Sequence, residues 1–309
     1  MKKGLSILIS LLTLFASFIL FSFPRAQEGT TGLTISPPIF ELTSIPGRTL
    51  TEKIKVTNTA SGKVTVAAEI EDFTPQGEEG QVTITEEEDL PLSMTSWITV
   101  TPSTFKLKAG ESKLATVKIE VPPTADPGGH YGAVVFVPSA PPGEGQVAVV
   151  SKIAALMILK VPGEAKEEAR IVSFSAPRFS EYGPITFDLR VENTGNVHIR
   201  PLGLIAITDL FGNKVADVQI EQKNILPEAT RHIQATWNQR VLAGRYTASL
   251  LAYYGDTNQI LTAAATFTVF PWKATLAGLA GLAILGFLIY RGRERFKLAL
   301  LILLGRHRA

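Results

Sequence analysis

Between residues 30 and 270 apolar and polar positions alternate with a period of two, and no long stretch follows helical spacing. Thr186 to Glu192 is the clearest case, with Phe187, Leu189 and Val191 on one side and Asp188, Arg190 and Glu192 on the other, as a half-buried strand requires. Lys53 to Thr57, Lys63 to Val66 and Ala115 to Val121 repeat the pattern, bounded by turn residues such as Ser61-Gly62, Ala109-Gly110 and Pro122-Pro123. That spacing predicts antiparallel sandwiches. One segment breaks the alternation. Val147 to Val161, VAVVSKIAALMILKV, is nearly continuous in apolar residues, which predicts one long or two short strands buried on both faces, with a buried helix as the alternative.

The chain also resembles itself. Ser36-Pro37-Pro38 precedes a strand ending VTNTASG, and Ser175-Ala176-Pro177 precedes one ending VENTGN. LKAGESKLATVKI from Leu107 answers LPEATRHIQATW from Leu226, and GGHYGAVVFV from Gly128 answers AGRYTASLLAYY from Ala243. Three anchors in one order predict two related Ig-like domains, 27–165 and 166–270, joined through the charged stretch Pro162 to Glu168. In each Asn-Thr element an Asn is expected to bond its own backbone and tolerate a left-handed conformation, with a Gly completing the turn. In each Gly-x-Tyr element an aromatic is expected to pack the sandwich end. Trp97, Trp237 and Tyr131 resemble a sugar-stacking platform in composition, but each falls where the pattern puts core residues, so none receives a binding role.

The two ends set the expected topology. Lys2 and Lys3 ahead of the apolar run Leu5 to Phe23 predict an export signal over 1–26, with an uncleaved anchor as the alternative. Ala274 to Tyr290 is 17 residues without a charge, flanked by Trp272 and Tyr290, and predicts a transmembrane helix over 272–290. The basic tail, 291–309, carries Arg291, Arg293, Arg295, Lys297, Arg306 and Arg308 against Glu294, a net +5, and belongs in the cytoplasm. Its FKLALLILL stretch is expected to lie along the inner headgroup layer. A single-pass protein with both sandwiches extracytoplasmic follows.

The formal charge of +2 conceals an exported part of −7 over residues 26–272, once the basic ends are removed. Nucleic acid is therefore excluded as a partner. With no cysteine in the chain, no disulfide supports either domain, and each must be stabilised by its own core.

Chemistry is sparse. His130, His198, His232 and His307 are scattered along the sequence, and no metal-ligand spacing, thiol nucleophile, GxSxG elbow, phosphate loop or dinucleotide fingerprint occurs. The chain is expected not to be an enzyme and to carry no cofactor, no catalytic residues and no metal site. Glu86-Glu87-Glu88-Asp89 is the one acidic run to weigh for calcium, but consecutive carboxylates converge poorly on an ion, so a solvated loop is expected. Glu78-Glu79-Gly80 is assigned to the same polar hairpin connection. No ligand-binding residue is assigned.

VTNTASGKVTV from Val56, LKAGESKLATVKIEVPP from Leu107, PGGHYGAVVF from Pro127 and the apolar strands after Val147 give residues 32–161 a resemblance to the peptidoglycan-binding domain of WxL-interacting proteins of Gram-positive surfaces. The second domain is similar to generic Ig-like or fibronectin-like modules. The fimbrial chaperone fold is a near alternative for the first domain, although those chaperones are soluble and this chain is tethered. The resemblance implies a non-enzymatic, membrane-anchored cell-surface protein that contacts wall glycan (peptidoglycan) or another surface protein through its first sandwich. The rival is an extracytoplasmic assembly chaperone or scaffold that offers a sheet edge to a partner strand.

Overall fold

Proline punctuation explains the topology of both domains. The computed structural model describes residues 32–85, 90–139, 152–239 and 243–303, with side chains to residue 293. In the first domain β1 (Leu33–Ser36) pairs antiparallel with β3 (Thr49–Asn58), the chain passes Pro37-Pro38, and β2 (Ile39–Thr43) runs parallel to β10 (Ile153–Val161) in the opposite sheet. The second domain repeats this: β11 (Ala169–Ser175) pairs with β13 (Ile185–Asn193), the chain passes Pro177, and β12 (Phe179–Ser180) runs parallel to β18 (Gln259–Val269). Proline has no N–H to give a ladder, so it marks the place where one strand leaves one sheet for the other. The self-similarity of the sequence is thus a shared crossing.

The first domain packs a four-stranded sheet, β1-β3-β8-β6, on a sheet of order β2-β10-β9-β4-β5, with β7 also paired to β4. Here β4 is Val64–Gln76, β5 Gln81–Thr85, β6 Ile98–Thr101, β7 Thr104–Leu107, β8 Ser112–Glu120 and β9 Gly128–Ser139. Ile54, Val56, Phe105, Val117, Phe136, Met157 and Leu159 fill the space between the sheets. The second domain packs β11-β13-β16 on β12-β18-β17-β14-β15, where β14 is Leu202–Thr208, β15 Lys214–Gln219, β16 Thr230–Trp237 and β17 Gly244–Tyr254. Phe187, Leu189, Trp237, Tyr246, Leu250 and Phe267 form its core. The protein is all-β, two sandwich domains followed by one apolar helix, α1 (Trp272–Leu303).

The apolar run after Lys152 is a strand, β10, seated between β9 and β2; the expected part from Val147 to Ser151 lies outside the described residues. Its lack of alternation has a physical cause. One face of β9 and β10 packs in the sandwich, while Tyr131, Ala133, Val135 and Ile158 point the other way into a separate apolar cluster with Phe73, which Leu226 of the second domain helps to cover.

Helix α1 is continuous past Tyr290 to Leu303, so the tail stretch 296–303 extends the same helix instead of forming a separate segment. Trp272–Arg293, 22 residues, is long and apolar enough to cross a membrane, with its side chains unburied by the protein. The signal segment, Glu86 to Asp89 and residues 304–309 lie outside the described residues.

Candidate functional site

The start of β10 is an incomplete edge. Ile153 to Val161 pair along their whole length with β9, from Ile153↔Phe136 to Val161↔Gly128. On the other side β2 covers only Leu156 to Lys160, and its pairing stops at Leu156↔Ile39 because Pro38 and Pro37 follow. Leu156 N–H donates across this edge to the Pro38 carbonyl at 2.9 Å. Backbone amides two residues apart point the same way in a strand, so the Ala154 N–H faces the same side, where no described strand reaches it. The edge is apolar: Ala154 and Leu156 pack onto the Phe73–Tyr131–Val135–Ile158 cluster.

Beside this edge the two domains meet. The β4–β5 turn reaches onto the second domain. Glu78 pairs with Arg190 at 2.9 Å and Glu79 with His232 Nδ1 at 2.7 Å, and the His232 backbone N–H donates to the Glu78 carbonyl at 2.8 Å. His232 Nε2 also meets Asp188 at 3.0 Å. Gly80 has φ of 83°, a left-handed conformation that favours glycine, and the Arg231 guanidinium lies in the space that a Cβ would take. Glu78-Glu79-Gly80, expected as part of a polar hairpin connection, is the β4–β5 turn, and it also grips the second domain. Nothing local in the sequence signals this, because Arg190, Arg231 and His232 are more than 100 positions away.

Deeper in the joint the Tyr131 hydroxyl accepts a hydrogen bond from the His198 backbone N–H at 2.9 Å, with His198 Nδ1 3.4 Å away. Burial pushes the Tyr131 hydroxyl well above its usual range and pulls His198 down to about 4. Both groups are thus neutral at ordinary pH, as a partly dry interface demands. Lys160 is different. Burial opposes its ammonium, but Asp256 at 2.8 Å and Glu167 at 2.6 Å outweigh that and hold its pKa above the usual lysine value.

Two clefts flank the Phe73, Pro75 and Leu226 contact. One, about 260 Å³, is lined by Ile39, Leu156, Arg200, Lys223, Asn224 and Arg231. There Glu41 is held by Arg200 at 3.0 Å and by the Asn224 amide at 2.6 Å. The other, about 380 Å³ and more apolar, is lined by Leu90, Pro91, Leu92, Tyr131 and Pro227 among others. Among the described residues no group of three or more His, Asp and Glu could hold a metal. What the arrangement provides is an apolar strand edge beside the domain joint, with a backbone N–H, that of Ala154, directed where a further strand could pair.

Of the residues weighed in the sequence, Trp237 is buried in the second core, and Trp97 lies half-buried against the first with its ring 4.5 Å from that of His130. Tyr131 is buried, but at the domain joint. His198 and His232 come to the same joint, His130 bonds the Asp126 carbonyl at 2.9 Å, and His307 is outside the described residues.

No family model matches the chain, and no curated protein matches it. Solved structures do. The YadV chaperone is 11% identical with a TM-score of 0.38, over 76% of this chain and 100% of that one. The class 5 fimbriae chaperone CfaA is 18% identical with a TM-score of 0.38, over 75% and 98%. The CsuC–CsuE chaperone and tip adhesion subunit complex of Acinetobacter baumannii is 11% identical with a TM-score of 0.35, over 65% and 88%. The expected kinship with WxL-interacting, peptidoglycan-binding proteins is corrected by this result: the solved structures similar to this chain include chaperones of fimbriae and pili and a PapD-like domain of human CEP192. Identities of 11 and 18% leave function to be argued from the chain's own residues.

Proposed function

We propose that this chain is a non-enzymatic, extracytoplasmic assembly chaperone or scaffold subunit, held at a membrane by α1, that lends the open edge of β10 to a strand of a partner protein. The observation that carries this is the unfinished pairing of β10, where Pro37 and Pro38 stop β2 at Leu156 and leave Ile153 to Ala155 with β9 as the one neighbouring strand among the described residues. An apolar edge of this kind is a template for β-augmentation. Here it lies beside the contacts between the two domains.

The domain limits 27–165 and 166–270, and the single-pass orientation with both sandwiches outside and the basic tail inside, belong to the same proposal. They are supported by the two separate cores and by the 22-residue, largely apolar helical segment Trp272–Arg293, which runs into the basic tail.

The test is a photo-crosslinker placed at Ile153 in cells, with one at Asp217 on the β15 edge as control. Ile153 should capture a discrete protein partner, and Ala154→Pro, which removes the outward N–H without taking a bond from the β9 ladder, should abolish capture while the melting temperature stays close to that of the parent. In the purified complex the Ala154 amide should become protected from hydrogen exchange. Undiminished capture by a folded Ala154→Pro protein would sink the edge mechanism.

A further inference from the structure

Outside α1, the two most exposed large apolar side chains among the described residues are neighbours: Phe211 at 86% and Leu210 at 70% exposure. They form the tip of the β14–β15 hairpin, and the tip is built, not slack. Asp209 Oδ1 accepts from the backbone N–H groups of Phe211 and Asn213, both at 2.9 Å, its Oδ2 accepts from the Asn213 amide at 3.0 Å, and Gly212 with φ of 84° donates to the Asp209 carbonyl at 3.1 Å. A turn held this firmly by its own side chains presents Leu210 and Phe211 to whatever lies beyond it.

Strand register shows what lies beyond it. Thr208 of β14 is level with Thr247 of β17, and Thr247 with Thr266 of β18. β14 ends at Thr208, three residues short of the level of Gly244 and Val269, so its turn projects toward the end where β18 finishes at Val269 and, three residues later, α1 begins at Trp272. The hairpin stands two strands over from β18, roughly 10 Å at the usual strand spacing. The tip and the start of the helix therefore leave the same end of the domain.

That end also has the composition of a membrane interface. Phe179, Tyr182, Phe270 and Trp272 are exposed there, between 39% and 54%, with Lys214, Arg245 and Lys273 around them. Its carboxylates are occupied: Glu181 pairs with Lys273 at 2.7 Å and Asp209 is enclosed by its turn. The other exposed apolar row, Leu202, Tyr253 and Ile260, lies at the opposite ends of the same strands, near Asp256.

We propose that the Leu210–Phe211 hairpin tip is a second membrane contact, seated in the interfacial layer of the bilayer that α1 crosses, so that the second domain rests on the lipid surface. This rests on α1 being a membrane span. Two anchor points, the helix and the tip, fix the tilt of the domain, which a helix alone leaves free to swing. The open edge of β10 is then held at a set height and direction above the membrane.

The chain has no cysteine, so single sites can be labelled. The full chain is placed in vesicles of phosphatidylcholine and phosphatidylglycerol with an environment-sensitive fluorophore on Leu210→Cys, on Asn258→Cys at the far turn, or on Leu282→Cys within α1. Lipids carrying a spin label near the glycerol backbone or deep in the acyl chain are the quenchers. The shallow quencher should act on the 210 label and not on the 258 label, the deep one on the 282 label, and Phe211→Ser should cut quenching at 210 by half or more. Quenching at 282 with none at 210 would overturn the tip contact and leave the span standing. No quenching at 282 would remove the span and the proposal with it. Blue-shifted emission at 210 that neither lipid quencher reduces, and that is lost as protein is diluted in lipid, would assign the tip to a second copy and overturn the lipid contact.

Discussion

Asn58 and Asn193 hold the same post in their two domains. Each is fully buried at the end of its strand, β3 or β13, and each accepts through Oδ1 from the backbone N–H two residues on, Ala60 at 3.0 Å and Gly195 at 2.9 Å. Asn58 gives its amide to the carbonyls of Gly62 and Lys108 at 2.7 and 3.0 Å, and Asn193 gives its own to Val197 and Ile225 at 2.8 and 2.9 Å. One side chain thus closes its own turn and ties it to a segment distant in sequence.

Removing the Asn193 amide strands the buried Val197 and Ile225 carbonyls and the buried Gly195 N–H, whereas Gly62 and Lys108 beside Asn58 are exposed and can turn to water. Asn193→Ala should cost about 3 kcal/mol and Asn58→Ala about 1–2 kcal/mol, since each unsatisfied buried group costs roughly 1–3 kcal/mol. Chemical denaturation followed by tryptophan fluorescence reads both domains, through Trp97 and Trp237. A loss under about 1 kcal/mol would mean that water replaces the amide and the network is not structural.

Stability at the domain joint should depend on pH in two directions. Burial lowers His198 to about 4 from its ordinary 6.5, so its contribution is complete above 6.5 and is lost as pH falls from there toward 4, by on the order of 3 kcal/mol at most. His232 is raised by its hydrogen bonds to Glu79 and Asp188, so its contribution is complete below 6.5 and is lost as pH rises through the raised value. Denaturation midpoints across this range should show both limbs. His198→Gln should flatten the acid limb and His232→Gln the alkaline one. Two variants that keep both limbs would assign the pH dependence elsewhere.

Much of the architecture is legible in the sequence because its causes are local. Period two over Thr186 to Glu192 gives β13, and the repeated Asn-Thr and Ser-x-Pro elements give two domains of one plan. At those turns the Asn side chain bonds the nearby backbone as expected, and its tolerance of a left-handed conformation is not used, since neither Asn58 nor Asn193 has a positive φ. The candidate site is a different matter. Pro37-Pro38 announces a broken ladder, but that the break falls beside Ala154 follows from a parallel pairing between residues more than 100 positions apart. The same holds for the joint, where Glu79 meets His232 and Tyr131 meets His198 through folding of the whole chain.

The second domain should fold by itself. Its core, from Ile185 to Val269, is contiguous, with the rings of Phe187, Trp237 and Tyr246 each packed on that of Phe267. A fragment of residues 166–270 should melt cooperatively with a β-type circular dichroism spectrum. Its melting point should fall below that of the same domain in the full chain, because Leu226 and His198 lose their cover. A broad, non-cooperative melt would mean that the two sandwiches depend on one another to fold.

The last prediction ranks what holds the joint together. Glu78 and Arg190 are 37% and 50% exposed, and Glu79 is 57% exposed, so water screens both pairs. Exposed ion pairs contribute at most about 1 kcal/mol, and Glu78→Gln should cost less than that. The apolar contact at Leu226 and the Tyr131 hydrogen bond are better shielded, by Phe73, Val82 and Leu92 on one side and the His198 backbone on the other. Leu226→Ala should cost about 2 kcal/mol, the low end for truncating a buried leucine, because Leu226 is only partly buried. Tyr131→Phe leaves the His198 N–H without its acceptor and should cost about 1–2 kcal/mol. The readout is the separation between the two domains' unfolding transitions in the full chain, which should widen in the order Glu78→Gln, Tyr131→Phe, Leu226→Ala. If Glu78→Gln separates them most, the joint is an electrostatic clamp, and the same widening should then follow from added salt in the parent protein.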